Sequence, residues 1–147
     1  MKEFEVRTFR KLLRRLERQI GDALKDGVEC CGVTLMQCHS LLEIEEKAET
    51  NLKDLSASLD LDKSTVSRTI DGLVKSELVE RTTDADNRKF VVLKLTGRGK
   101  EICKNINRIC DDYYQRLLDN IPQGKCGQVV ESLNLFLDAM IKAGKIT

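Results

Sequence analysis

Residues 52–96 read LKDLSASLDLDKSTVSRTIDGLVKSELVERTTDADNRKFVVLKLT. Leu52, Leu55 and Leu59, then Val66, Ile70, Leu73 and Val74, recur at spacings of three and four, the period of two amphipathic helices. Asp60-Leu61-Asp62 leaves room only for a tight turn, and Asp62 is suited to N-cap a helix opening at Lys63. That spacing predicts a helix-turn-helix. After Leu73 and Val74 the period falls to two. Leu78 to Thr82 then reads as one strand and Phe90 to Leu95 as another. Between them Thr83-Asp84-Ala85-Asp86-Asn87-Arg88-Lys89 supplies the turn formers of a long hairpin tip, with two cations at its far end. A helix pair followed by such a hairpin is a winged helix-turn-helix.

The ordered set Asp62-Lys63-Ser64-Thr65-Val66-Ser67-Arg68-Thr69-Ile70-Asp71-Gly72-Leu73, Leu78-Val79-Glu80-Arg81, Asp84, Asp86-Asn87-Arg88 and Val92-Leu93-Lys94-Leu95-Thr96-Gly97-Arg98-Gly99 resembles the MarR family of dimeric transcription regulators. No single piece is specific, whereas the set in this order is. The chain departs from the family pattern at two places. The family usually ends its recognition helix with glycine where Glu77 stands here, and often carries glycine in the inter-helix turn where Asp60 stands. Glycine is the residue that most easily adopts the left-handed conformation of a helix C-terminus, and Asp tolerates it better than Glu.

The chain has 147 residues, 41% of them hydrophobic, which suits a single domain with a real core. The expected class is mainly α with a small β-hairpin wing. Residues 34–96 form the winged helix-turn-helix lobe in this reading, and residues 1–33 and 97–147 form dimerisation helices. A mean hydropathy of −0.33 and the lack of a long apolar run argue against a membrane span. The charged opening Met1-Lys2-Glu3-Phe4-Glu5 leads into no apolar signal region, so the expected compartment is the cytoplasm. Six cysteines are too few for a disulfide scaffold and in a reducing compartment would be thiols, metal ligands or redox sensors.

A formal net charge of +1 conceals a strong pattern. Lys plus Arg against Asp plus Glu number 8 and 4 in residues 1–25, 2 and 9 in 26–62, 11 and 6 in 63–108, and 4 and 5 thereafter. The central basic excess covers the expected reading helix and wing. Phosphate attraction follows local clustering and not the overall sum, so near-neutrality does not argue against DNA.

Outside the lobe, a first helix is expected over residues 4–24. Phe9, Leu12, Leu13, Leu16, Ile20 and Leu24 lie on one face, and Arg7, Arg10, Lys11, Arg14, Arg15 and Arg18 lie around the other, with Gly27 as a stop. Thr34 with Gln37 forms a capping box opening a second helix that ends in the acidic run Glu43, Glu45, Glu46 and Glu49. Thr96 caps a long helix to about Leu118, broken by Ile121-Pro122, and a last helix runs from Gly124 to Ala143. Its stripe of Val129, Val130, Leu133, Phe136, Leu137, Met140 and Ile141 is too wide for one neighbour. The terminal helices are therefore expected to pack together and against a second copy, giving a symmetric homodimer.

For DNA the expected contacts are Lys63, Ser64, Thr65, Ser67 and Arg68 in the first two turns of the reading helix, where side chains point at base edges of the major groove. Arg68 is placed for a bidentate guanine contact, worth roughly 1–3 kcal/mol of discrimination. Lys63 and the hydroxyls suit phosphates. The resemblance implies that Arg88 enters the minor groove beside Lys89, held by Asp84 or Asp86. Two reading helices in a dimer would stand about 34 Å apart, on a palindromic operator. The expected role is a regulator, as a repressor, of double-stranded DNA.

No catalytic constellation is present: His39 is the only histidine, and Thr96-Gly97-Arg98-Gly99-Lys100 lacks phosphate-loop spacing. The chain is expected not to be an enzyme and to require no cofactor. Cys30, Cys31, Cys38 and His39 fall within ten residues and form a candidate metal site. Cys30 and Cys31 lie near the positive end of the second helix, which favours thiolate. Three readings stay open: a thiophilic metal, metalloid or oxidant sensed there; a small organic effector with structural cysteines; and plain packing, with Cys103 and Cys110 as further core thiols. A winged helix that binds protein and not DNA is the remaining alternative.

Overall fold

The computed structural model describes residues 2–29, 31–83, 86 and 91–146, of which residues 26–29 by backbone alone. In chain order the elements are α1 (Glu3–Glu29), α2 (Leu35–Lys47), β1 (Glu49–Thr50), α3 (Leu52–Leu59), α4 (Lys63–Lys75), β2 (Val79–Thr83), β3 (Val91–Leu95), α5 (Gly97–Asp119) and α6 (Cys126–Ala143). The chain divides into two compact units, Met1–Cys110 and Asp111–Thr147. The class is the expected one, helical with a small antiparallel sheet.

The first unit is held by one apolar cluster. Leu41 and Ile44 of α2, Leu55 of α3, Val66, Ile70 and Leu73 of α4, Leu93 of β3, and Cys103 and Ile106 of α5 are all at most 2% exposed. These are the positions that a three-and-four spacing brings to one face. Truncating a buried Leu or Ile here to Ala would cost about 2–5 kcal/mol.

The helix starts follow local chemistry. Thr34 Oγ1 accepts from Gln37 N at 3.1 Å while Gln37 Oε1 accepts from Thr34 N at 3.0 Å, the reciprocal capping box. Asn51 caps α3 through Asp54 N at 2.8 Å, and Asp62 caps α4 through Thr65 N. The ends are less conventional. Asp60 closes α3 at φ 52°, ψ 45°, and Glu77 follows α4 at φ 60°. Behind Glu77, Leu78 N donates to Leu73 O at 2.9 Å and Glu77 N to Val74 O at 3.0 Å, the paired bonds of a Schellman ending. Both positions where the family favours glycine are thus left-handed here, with side chains that adopt that backbone at a cost.

Three expectations shift in detail. α1 runs past Gly27 to Glu29, because glycine within a helix costs only about 1 kcal/mol. α6 opens at Cys126 and not Gly124, whose φ of 80° lies outside the helical region. The acidic run does not stay helical to its end. α2 stops at Lys47, and Glu49–Thr50 is a short strand paired antiparallel with β3, Glu49 opposite Lys94 and Thr50 opposite Leu93. The sheet order is β1-β3-β2.

In the second unit the end of α5 and α6 are joined through Pro122, whose carbonyl accepts from Lys125 N at 3.0 Å, and through Cys126 Sγ, 3.7 Å from Leu118 O. Tyr113 and Tyr114 stack edge to face at 5.3 Å. No residue of α6 is buried, and Leu133, Leu137 and Ile141 are 48%, 55% and 80% exposed. No helix among the described residues is long and apolar enough to cross a membrane.

Candidate nucleic-acid interface

The reading helix α4 is fixed from behind and open in front. Val66, Ile70 and Leu73 bury one face, while Lys63, Ser64 and Arg68 are exposed and Thr65 and Ser67 half-buried. Of the expected DNA-facing residues, Lys63, Ser64 and Arg68 are therefore on the open side of the helix, with Thr65 and Ser67 on its flanks. The Asp62 carboxylate accepts from the Ser64 hydroxyl, from Thr65 Oγ1 at 2.6 Å and from Thr65 N at 3.4 Å. These bonds, the one from Ser64 first, hold the Asp62 carboxyl down at about 2. Ser64 and Thr65 thus serve as cap partners in the free chain, and their hydroxyl oxygens keep lone pairs for a donor from outside. Arg68 Nε donates to Ser64 O at 3.3 Å, which lays the side chain back along the helix start.

The wing is set by its base. β2 and β3 pair in full register, Val79 opposite Leu95 through Thr83 opposite Val91. Arg81 on β2 forms an ion pair with Asp71 on α4, and Lys94 on β3 pairs with Glu49 on β1 at 3.2 Å. Where the wing meets α5, Thr96 N donates to Leu78 O at 3.1 Å, Thr96 Oγ1 donates to Glu77 O at 2.7 Å, and Gly99 N donates to Thr96 Oγ1 at 3.0 Å. A Cβ on Gly99 would overlap the Leu78 carbonyl. The end of α4, the root of β2 and the start of α5 are thereby locked within one turn. Arg88, Lys89 and Asp84 of the expected wing tip lie outside the described residues; Asp86 is described and exposed.

Of the cysteine cluster, Cys30 lies outside the described residues, Cys31 is half-buried, Cys38 is 3% exposed and His39 is exposed on the helix surface. Burial pushes the Cys38 thiol up to about 11, with Cys110 and Cys31 near enough to add to the effect. Burial and then Glu45 push Cys103 up to about 12. Both are neutral thiols of the core. Among the described residues no three of His, Cys, Asp or Glu gather as metal ligands.

The periodicity alone could not show the Arg81–Asp71 pair, the Gly99 approach or β1. The first two are tertiary contacts between elements, and the third is too short to alternate.

A model of the MarR family matches residues 33–91. An uncharacterised HTH-type transcriptional regulator of Bacillus subtilis, YhbI, is 31% identical over 98 residues, 65% of this chain; the match spans 64% of that relative's length. The HTH-type transcriptional regulator SarZ of Staphylococcus epidermidis is 28% identical over 120 residues, 82% of this chain and 80% of that protein. In fold, a mutant MarR from E. coli complexed with operator DNA superposes with a TM-score of 0.79 at 23% identity, covering 93% of this chain and 99% of that one. The winged helix-turn-helix lobe thus lies at the residues where this chain is similar to the MarR family.

Proposed function

We propose that this chain is a sequence-specific regulator of transcription, a repressor, that binds a palindromic operator in double-stranded DNA as a homodimer. One observation carries the reading. α4 buries Val66, Ile70 and Leu73 and presents Lys63, Ser64 and Arg68 from its first two turns, the arrangement by which a reading helix enters the major groove. The operator complex of the structurally similar E. coli protein supports the same partner here. Arg88 and Lys89 are the wing contacts in this reading.

The homodimer rests on apolar faces that each unit leaves open. Along α1, Phe4, Phe9, Leu12 and Leu16 are 43–79% exposed, and along α6, Val130, Leu133, Leu137 and Ile141 are 48–80% exposed. Faces of this kind on a chain of mean hydropathy −0.33 mark an interface. For Cys38 and Cys103, burial favours packing over sensing. An effector acting through thiols would need Cys30 or one of the half-buried cysteines Cys31, Cys110 and Cys126.

The test is selection of a binding sequence from random duplexes, then titration of that sequence and a scrambled one, with light scattering for the complex. A twofold-symmetric consensus bound by two chains is expected. Equal affinity for selected and scrambled duplexes would overturn the operator reading and leave a winged helix that recognises protein.

A further inference from the structure

Arg7, Lys11, Arg14 and Arg18 follow one another at spacings of four, three and four along α1, so they form a single ridge on successive turns. The ridge lies opposite the arc of Phe9, Leu13, Leu16 and Ile20. Arg10, Arg15 and Lys25 flank or extend it. All seven cations are exposed, and among the described residues only Arg7 has an ion pair, with Glu3. The chain carries 24 acidic residues, and four of its eight cations in residues 1–25 could have been matched by the four carboxylates there. Instead Lys11, Arg14 and Arg18 stand in a row without an ion pair among the described residues and with no carboxylate between them on the ridge, Glu17 and Asp22 lying beside the last two.

An ordinary solvated helix surface interleaves both signs and gains from i, i+4 pairs. A row of like charges at that spacing is destabilising by itself, and the cost is offset when an anion lies against it. From Arg7 to Arg18 the helix rises about 16 Å. Over that length one strand of duplex DNA presents about five phosphates. Three of the four ridge cations are arginine, whose planar fork matches a phosphate bidentately. A lipid surface would take a helix lying flat with its apolar arc inserted. In the proposed homodimer that arc is covered by the second copy, which leaves only the basic ridge to face outward.

We propose that the α1 ridge of Arg7, Lys11, Arg14 and Arg18 is a second duplex-DNA surface, holding phosphates other than those engaged by α4 and the wing. It rests on the regulator reading for the partner, and on its own residues for the contact. The phosphates come either from the flanks of the bound operator or from a second duplex.

The test uses the full chain and the variant Lys11→Gln/Arg14→Gln/Arg18→Gln. Four probes are titrated at two salt concentrations: the selected operator at about 20 base pairs, which covers two half-sites, the same core with long flanks, an unrelated duplex offered to the preformed core complex, and phosphatidylglycerol vesicles. Melting and light scattering check that fold and oligomer are kept. Expected for the variant is unchanged selectivity on the core, with about a ten- to hundredfold loss on the flanked duplex or on capture of the second one. The salt slope there should fall by about 2–3. Loss on the flanked probe assigns the ridge to flanks; loss on capture assigns it to a second segment.

Parent and variant binding every duplex alike would overturn the ridge and leave the operator reading intact. Vesicle binding that the variant loses while all duplex binding persists would also overturn it, in favour of lipid. A parent that binds duplexes through the ridge but prefers no sequence would sustain the ridge and overturn the operator reading.

Discussion

Arg81 on β2 reaches back to the Asp71 carboxylate on α4, so the wing and the reading helix are tied by a charge pair that neither element makes within itself. Both partners are exposed, at 39% and 58% of the side chain, which limits the pair to about 1 kcal/mol of stability or less. Its effect on binding is expected to be larger, because it links the hairpin directly to the helix. Arg81→Ala is expected to lower operator affinity about three- to tenfold, or about 0.7–1.4 kcal/mol, with little change in melting temperature. The swap Asp71→Arg/Arg81→Asp should recover part of the loss. Equal loss in the swap and the single variant would show that Arg81 meets DNA itself.

Gly99 is the tightest approach in the lobe. Gly99→Ala drives a methyl into the Leu78 carbonyl, a backbone atom that cannot rotate away. Overpacking of this kind costs about 1–3 kcal/mol or more. Chemical denaturation should show the loss, whereas Gly97→Ala, with open space around it, should be mild by comparison.

Glu77 holds φ 60° with a side chain that disfavours it. Glu77→Gly removes a left-handed cost of about 1–2 kcal/mol and loses some through the freer unfolded chain, so a net gain of about 0.5–1 kcal/mol is expected. The Arg98–Glu77 contact, at 4.0 Å between side chains that are 70% and 82% exposed, offsets little of this. DNA binding should be unchanged. A lower midpoint in urea would refute the strain argument.

Asp62 titrates far below its ordinary value, from 3.8 to about 2. Its contribution to stability is therefore present above the unfolded value and is lost as pH falls through the folded one, between about 4 and 2. Far-UV circular dichroism of the whole chain in acid should show a loss of helix across that window that Asp62→Asn flattens. An identical acid profile in the variant would place the sensitivity on other carboxylates.

Arg68 and Arg88 should separate in their effects. Arg68→Ala is expected to lose discrimination between selected and scrambled duplexes, by about 1–3 kcal/mol. Arg88→Ala should weaken binding and reduce the salt slope by about 1. Uniform weakening by Arg68→Ala across sequences would reassign it to phosphate.

The helices and their caps were legible because their signals are local. Thr34 with Gln37, Asp62 with Thr65 and Thr96 with Gly99 each act over three residues, and the core face repeats every three to four. The left-handed state of Glu77 was indicated only by the family pattern, since glutamate carries no such preference. Cys38 could be read as a ligand or as packing. Its spacing of three from Leu41 places it beside the buried face, and the structure buries it there. Proximity in sequence to Cys30, Cys31 and His39 said nothing about direction, because neighbours on a helix point 100° apart. The Arg81–Asp71 pair and β1 needed the tertiary arrangement and left no periodic trace.

The two-residue strand β1 also decides which side of the wing is open. By pairing at Leu93 and Lys94 it covers the far edge of β3 at those two residues only, while β2 is an outer strand along its whole length. Exposed β edges recruit other chains unless charge discourages them. Here the outer strand carries Glu80 and Arg81, one of each sign, on exposed positions, and no run of apolar residues. A hairpin that must stand away from the protein body is thus guarded against sticking to its neighbours when many copies crowd together.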